Sequence, residues 1–383
     1  MLFSFLACAE PEPVASAASL PAVSEVEQVV PDESLPAQVV DQPSNNNLDV
    51  VSHDNEKYLA FRTAPTHFAS AETMLYVLRE TEGGWAFETS VAMETDLREP
   101  RFLSWNGELL LYFAVLGSDP AAFEPQGTML TVRSADGVWS APEWIFDDTF
   151  IPWRARVVNG VPYLIGYTGG ADIYDGGKPN IEVKWLASVD GRTWDPVSGN
   201  GTVEVGGGSE TDWVFLQDGG VLAVTRNEAG DDSGWGSKIC RSPASDPAAW
   251  ECVSDPRKYD SPLMFQEGGR NWLIARRNVT KDGNYDLGRR DLSFDQQTLF
   301  YEAEYWNQPK RCSLWEVDDD PLGVTWVLDL PSQGDTCFPS ALNEGDGHWR
   351  VTNYSSPIDG FDPVWHEGQL GPTNLYRQLI TFP

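Results

Sequence analysis

The sequence predicts an all-β fold, a six-bladed β-propeller of four-stranded antiparallel blades, with five blades as the alternative count. Three observations carry it. An apolar segment recurs at a period of about 50–60 residues, a blade-sized repeat. The copies are Tyr58–Arg62, Leu109–Phe113, Tyr163–Tyr167, Val221–Arg226, Trp272–Arg276 and Trp349–Tyr354. Most follow a turn pair: Asn106-Gly107, Asn159-Gly160, Asp218-Gly219, Gly268-Gly269 or Asp346-Gly347. Such pairs supply the positive φ angles of tight hairpins. Between the copies no helical periodicity interrupts the short strands.

Taken in order, residues 1–8 read as an export segment. Leu2-Phe3-Ser4-Phe5-Leu6-Ala7 is apolar, and Cys8 stands between the small residues Ala7 and Ala9. This resembles the lipobox of bacterial lipoproteins, whose cysteine is acylated, so Cys8 is the expected lipidation site. Residues 9–48 are rich in Pro, Ala, Ser, Val and Glu and are expected to be a disordered tether. The propeller is expected over 49–383, with a long insertion in the fifth unit. Its C-terminal strand, near Leu375–Ile380, is expected to close the ring onto the first unit, because closure hides sheet edges.

The charge narrows the partners. Against 58 Asp and Glu stand 26 Lys and Arg, a formal net charge of -32. Nucleic acid is excluded, since phosphates call for a basic surface, and so is adhesion to anionic lipid. No later segment reaches the roughly 20 apolar residues of a membrane-spanning helix, so membrane contact is expected only through the lipid anchor. Beyond Cys8 an even number of cysteines remains, as suits an exported, oxidised protein. Cys240 and Cys252 flank a hairpin turn and are expected to pair across it, and Cys312 and Cys337 then pair with each other. No close cysteine pair at zinc spacing is present. No metal and no cofactor is expected, and the chain is expected to be a monomer.

In a propeller the starts of the first strands and the ends of the second share one face. The long loops 114–128, 168–181, 227–237, 277–311 and 354–373 gather there, and function concentrates on loops held by a rigid scaffold. First strands begin with Arg98-Glu99-Pro100-Arg101, Trp153-Arg154, Glu210-Thr211-Asp212, Asp260-Ser261 and Asp335. Second strands end in Arg62, Arg226 and Arg276. A guanidinium fork grips carboxylate or sulfate through two parallel bonds. Arg98, Arg154, Arg226 and Arg276, with Trp153, are therefore the expected substrate-binding set. For acid–base work the candidates are Glu210, Asp119, Asp212 and Asp260, a chemistry that needs one raised pKa and a second carboxylate about 5–10 Å away. His53, His67, His348 and His366 form no nucleophile or metal pattern and read as surface or turn residues.

A second repeat lies in the outer hairpins. Ser134-Ala135-Asp136-Gly137-Val138-Trp139 and Ser188-Val189-Asp190-Gly191-Arg192-Thr193-Trp194 resemble the Asp-box (BNR) turn of sialidase-like propellers, with diverged copies at Glu82–Trp85 and Ser245–Trp250. There the Asp caps turn amides and the Trp packs between sheets. The chain thus resembles a distant member of the sialidase superfamily. The resemblance implies an Arg triad for a substrate carboxylate, an Asp acid/base, and a Tyr nucleophile polarised by a Glu. Arg98-Glu99-Pro100 is similar to the family's Arg-Ile-Pro element, and Asp119 lies in the loop where the family places its acid/base. Glu210 precedes Asp218-Gly219 by eight and nine residues and Arg226 by sixteen, which is similar to the segment bearing the polarising Glu and a triad Arg. Arg276 or Arg277 supplies the third. The nucleophile departs from the pattern: counting back from Asp346-Gly347 puts Phe338 where the family has Tyr, and a phenyl ring cannot form a glycosyl intermediate. The offset between Arg98 and Glu210 is two blades, where the family has three.

Two functions are expected from this. One is a sialidase-like propeller acting on or binding an acidic glycan as a glycoside hydrolase, its partner a glycan or glycoconjugate with an anionic group. The other is a non-catalytic surface lipoprotein that binds carbohydrate or protein, which Phe338 favours. Either is placed on the cell envelope or secreted.

Overall fold

The computed structural model describes residues 20–171, 173 and 177–383; the export segment and Cys8 lie outside them. Its strands form six antiparallel sheets, each a blade. Blade 1 is Ser44–His53, Glu56–Ala64, Met74–Thr81 and Gly84–Val91; blade 2 is Leu97–Trp105, Glu108–Val115, Gly127–Arg133 and Glu143–Phe146. Blade 3 has Ile151–Val158, Val161–Thr168 and Ile181–Ser188, its outer edge split between Trp194–Pro196 and Thr202–Gly206. Blade 4 is Gly208–Phe215, Val221–Asn227, Lys238–Ser242 and Glu251–Ser254; blade 5 is Asp260–Glu267, Arg270–Asn278, Lys310–Asp319 and Leu322–Asp329. Blade 6 has Ser340–Gly345, His348–Ser355 and Asn374–Thr381. First strands of neighbouring blades adjoin around the axis.

Each second strand matches a predicted apolar segment, for a physical reason. Sheets on both sides cover it, so both of its faces are apolar and the run is continuous rather than alternating. Tyr58, Ala60 and Val77 of blade 1 pack on Phe102, Leu109 and Leu111 of blade 2. Val214, Leu222 and Val224 of blade 4 likewise meet Met264, Leu273 and Trp315 of blade 5. The core is thus distributed between blades.

Three expectations need correction. The described part of 9–48 is not a free tether: Ala22–Val23 and Glu27–Val30 pair antiparallel with Asn374–Thr381 and supply the outer edge of blade 6. The C-terminal strand accordingly closes the ring against this N-terminal segment, inside blade 6, and not onto blade 1. Finally, the insertion in blade 5 contains a helix, α1 (Phe294–Asn307), and the last long loop a short one, α2 (Trp365–Leu370). The buried face of α1 is Gln297, Thr298, Tyr301 and Tyr305. Its inward stripe is polar and aromatic, so it leaves no aliphatic period to read.

Both disulfides form as expected. Cys240 and Cys252 oppose each other on paired strands of blade 4, and Cys312 of blade 5 is bonded to Cys337 in the segment entering blade 6. In the turn at 188–194, Asp190 Oδ1 accepts the Arg192 and Thr193 amides at 2.8 and 2.7 Å, and Trp194 packs edge-on against Tyr112. At 134–139 it is the Ser134 hydroxyl that accepts the Val138 amide, at 3.3 Å. These turns join third and fourth strands, on the face opposite the long loops.

Candidate functional site

A cavity of about 480 Å³ opens on the long-loop face, over the axis. One residue from the start of each inner strand lines it: Asn47, Glu99, Ile151, Glu210, Ser261 and Phe338. The cause is local. In blades 1 to 5 the pairing of first and second strands slips at this point, between Asn46 and Leu48, Arg98 and Arg101, Pro152 and Arg154, Gly208 and Thr211, and Asp260 and Leu263. A bulge re-aims the side chain beside it. Asn47, Glu99 and Ser261 take positive φ angles of 38°, 50° and 53° there, a conformation uncommon outside glycine and frequent at functional sites. In four blades the ring residue precedes proline, at Pro100, Pro152, Pro262 and Pro339, which has no N–H to leave unpaired at the break.

Three of the expected arginines reach this cavity. Arg98 gives Nε to Asp96 and Nη2 to the His67 carbonyl at 2.7 Å, while Asp96 also holds Arg62 at 2.7 Å. Arg226 is enclosed by carboxylates: Glu210 at 2.8 Å, Glu228 at 3.2 Å and Asp260 at 3.3 Å. Arg276 differs. Its partners are the carbonyls of Thr336 and Cys337 and the hydroxyls of Tyr305 and Tyr354, at 3.0 and 3.2 Å; among the described residues it makes no ion pair with a carboxylate. A fourth cation, Lys258, lies over the Tyr285 ring at 4.5 Å, and burial brings its pKa down to about 8.

Two acid–base groups in the cavity escaped the sequence. Glu99 has one amide bond, from Asn47 at 3.2 Å, and lies 3.6 Å from the Arg101 guanidinium. Burial, with the nearby charge of Glu210, lifts its pKa to about 7. His67, in the loop after the second strand of blade 1, is hydrogen-bonded through Nδ1 to Asp335 Oδ2 at 2.6 Å, the carboxylate accepting. Burial lowers the His67 pKa, while Asp335, against the burial that would raise it, is held low by His67 and Arg276. The pair is therefore neutral imidazole and carboxylate, with the proton on Nδ1. Tyr354 donates to the other oxygen of Asp335 at 2.9 Å, and burial raises its pKa. The repeated X-Pro at inner-strand starts is a signal that marks Glu99 as a ring residue. No local signal marks His67, whose partner is 268 residues away.

The other expected residues are distributed as follows. Glu210 lines the cavity, accepts the Ser261 amide at 2.6 Å, and is raised by burial and by Glu228 and Asp260 against Arg226. Asp119 sits on the rim loop capping the Ala121 amide at 2.9 Å; its neighbours Pro120 to Ala122 are the lining residues. Asp260 is buried behind Arg226 and accepts from Tyr305. Asp212, Arg154 and Trp153 are not in the cavity wall, which corrects their placement. Asp212 is a buried brace that pairs with Arg154 and Arg156 and accepts the Met264 amide at 2.8 Å. Trp153 and Phe338 form an edge-on pair with the Arg101 guanidinium 4.5 and 4.3 Å from their rings, and of the two only Phe338 lines the cavity. The physical reason is the bulge, which turns Ile151 inward in blade 3 and leaves Trp153 below it.

No known family profile matches the chain, and none of the curated proteins does. Solved structures do share its fold. A Dyadobacter fermentans protein of unknown function aligns with a TM-score of 0.61 at 13% identity, over 95% of this chain and 99% of that one. Trypanosoma rangeli sialidase aligns at 0.56 and 13% identity, over 88% of this chain and 54% of its own, so this chain spans about half of it. Phage phi92 endosialidase aligns at 0.59 and 10% identity, over 94% and 69%. At such identities the likeness is one of fold, and in fold this chain is a distant, sialidase-like six-bladed propeller.

Proposed function

We propose that this propeller recognises an acidic glycan in its central cavity. The observation that carries the reading is the meeting of three guanidiniums, Arg98, Arg226 and Arg276, from three blades in one aromatic-walled cavity of a chain whose net charge is -32. Among the described residues Arg276 has no carboxylate partner, and the hydrogen bonds of Arg98 run through Nε and Nη2 and not Nη1. Both retain capacity for an anionic group. Trp306, half exposed, and Trp365 line the cavity as aromatic surface that suits a sugar. The two disulfides support an oxidising compartment, and acylation at Cys8 would hold the cavity at the cell surface. The test is binding of the full chain to sialic acid- and uronic acid-terminated glycans beside their neutral counterparts. Selective retention of the acidic set is expected, with Arg98→Gln weakening it at least about tenfold. Equal binding to neutral glycans, or none to either, overturns the reading.

A second reading, binding with no covalent glycosyl intermediate, is favoured by a specific observation. Phe338 is buried, with its ring against Trp153, and the nearby Tyr354 is engaged with Asp335 and Arg276 with its pKa raised. Neither is a phenolate nucleophile.

A further inference from the structure

We propose that the cavity carries out hydrolysis by direct attack of water, with His67 as the proton acceptor, Asp335 as its positioning residue and Glu99 as the proton donor. This rests on the proposed binding of an acidic glycan and adds a reaction to it. The geometry supports it in three ways. First, the Nδ1 of His67 is committed to Asp335 at 2.6 Å, and Nε2 has no hydrogen bond to the chain among the described residues. A base needs that arrangement: one nitrogen oriented by a carboxylate, the other free for the substrate side. Second, Glu99 enters the same cavity from the neighbouring blade at a positive-φ bulge, with one amide bond to its carboxyl group. Third, the two are tied together, because Arg98, adjacent to Glu99 in sequence, donates to the His67 carbonyl at 2.7 Å.

The step balances without a covalent intermediate. His67 Nε2 takes a proton from water as the water oxygen bonds to the anomeric carbon. The glycosidic C–O bond breaks, and the departing oxygen takes the proton of the Glu99 carboxyl. One water is consumed, imidazolium and carboxylate remain, and they exchange protons with solvent. A single displacement gives the inverted anomer and needs no hydroxyl at position 338.

The groups around each partner set the pH range. His67 faces Asp335, Arg98 and Arg62, with the rings of Tyr354 and Trp365 beside it. Glu99 faces Arg101, Glu210, Arg98 and Asn47. His67 is neutral at and above its ordinary 6.5, since burial lowers it, and Glu99 stays protonated up to about 7. Base and acid are both in the working form in one window, near neutral pH.

The experiment uses the full chain and methylumbelliferyl glycosides of N-acetylneuraminate, glucuronate and galacturonate, with binding of the free sugars measured alongside. Expected are turnover of at least one glycoside, release of the inverted anomer, and a bell-shaped pH profile. His67→Gln and Glu99→Gln should each lower kcat at least about 100-fold with sugar affinity within about threefold. Asp335→Asn should lower kcat at constant KM and move the acidic limb to lower pH, because the Asp335 charge raises the His67 pKa. His67→Gln alone decides the matter if Asp335→Asn does not fold. Sugar binding without turnover of any glycoside, or full activity in His67→Gln, overturns the hydrolysis and leaves the binding reading intact. Absence of both binding and turnover removes the two together.

Discussion

At the scale of single residues, Glu99 is held in a protonation state the unfolded chain would not keep. Its carboxyl ordinarily titrates at 4.5 and here at about 7. Between those values the folded chain binds a proton that the unfolded chain releases, so the stability tied to this proton is complete below about pH 4.5 and is lost as pH rises through 7. The shift corresponds to about 3 kcal/mol. Glu99→Gln keeps the amide contact and removes the ionisation. It should be close to wild type in urea unfolding at pH 4 and more stable than wild type by a few kcal/mol at pH 8. An equal effect at both pH values would falsify the assignment of a raised pKa. In the sequence Arg98-Glu99-Pro100 stands out by its cation, and Glu99 carries no mark of a raised pKa. Side-chain direction at a bulge is a matter of one φ angle, and nothing in a residue's identity reports it. His67 was harder still, since its chemistry depends on Asp335 across the ring closure.

At the scale of elements, the strands were legible and the cavity wall was not. Apolar second strands, turn pairs and the cysteine pairing are local patterns, and the six blades follow from them. The wall formed by α1 and α2 is built by aromatic and polar contacts. The Ser293–Gln296 capping box starts α1, Tyr305 turns inward to Arg276 and Asp260, and Trp365 meets Tyr305 edge-on at 4.7 Å. Trp306, the next residue, lines the cavity yet is half exposed, at 50%. A large exposed indole at a cavity lip has little to do with folding and a ready use as a stacking face. Trp306→Ala should leave the thermal midpoint within about 1 °C, as surface changes do. It should weaken acidic-glycan binding about threefold to tenfold, the size of a lost aromatic contact. Unaltered affinity by calorimetry would place the sugar elsewhere in the cavity.

At the scale of the molecule, the ring is closed by its two ends meeting in one blade. Ala22 and Val23 pair with Thr381 and Ile380, and Glu27, Gln28 and Val30 with Arg377, Tyr376 and Leu375. Arg377 grips Glu27 at 2.7 and 2.8 Å. Val29 and Val30 are buried in a cluster with Leu48, Leu59, Phe61 and Leu375, so the strand that closes the ring also contributes to the core between blades 6 and 1. The Pro, Ala and Glu content of this stretch hid a strand of only a few residues, whose stability comes from the partner it pairs with. Removing the chain up to Pro31 deletes that partner. Each buried valine contributes about 1.5–3 kcal/mol, and Asn374–Thr381 becomes an unpaired edge able to template association. The truncated chain should melt several degrees lower and sediment with a concentration-dependent dimer or aggregate, while a synthetic peptide spanning residues 20–31 should restore the monomer in trans. A truncated chain that stays monomeric with the full-length melting point would mean that blades 1 to 6 close without this strand.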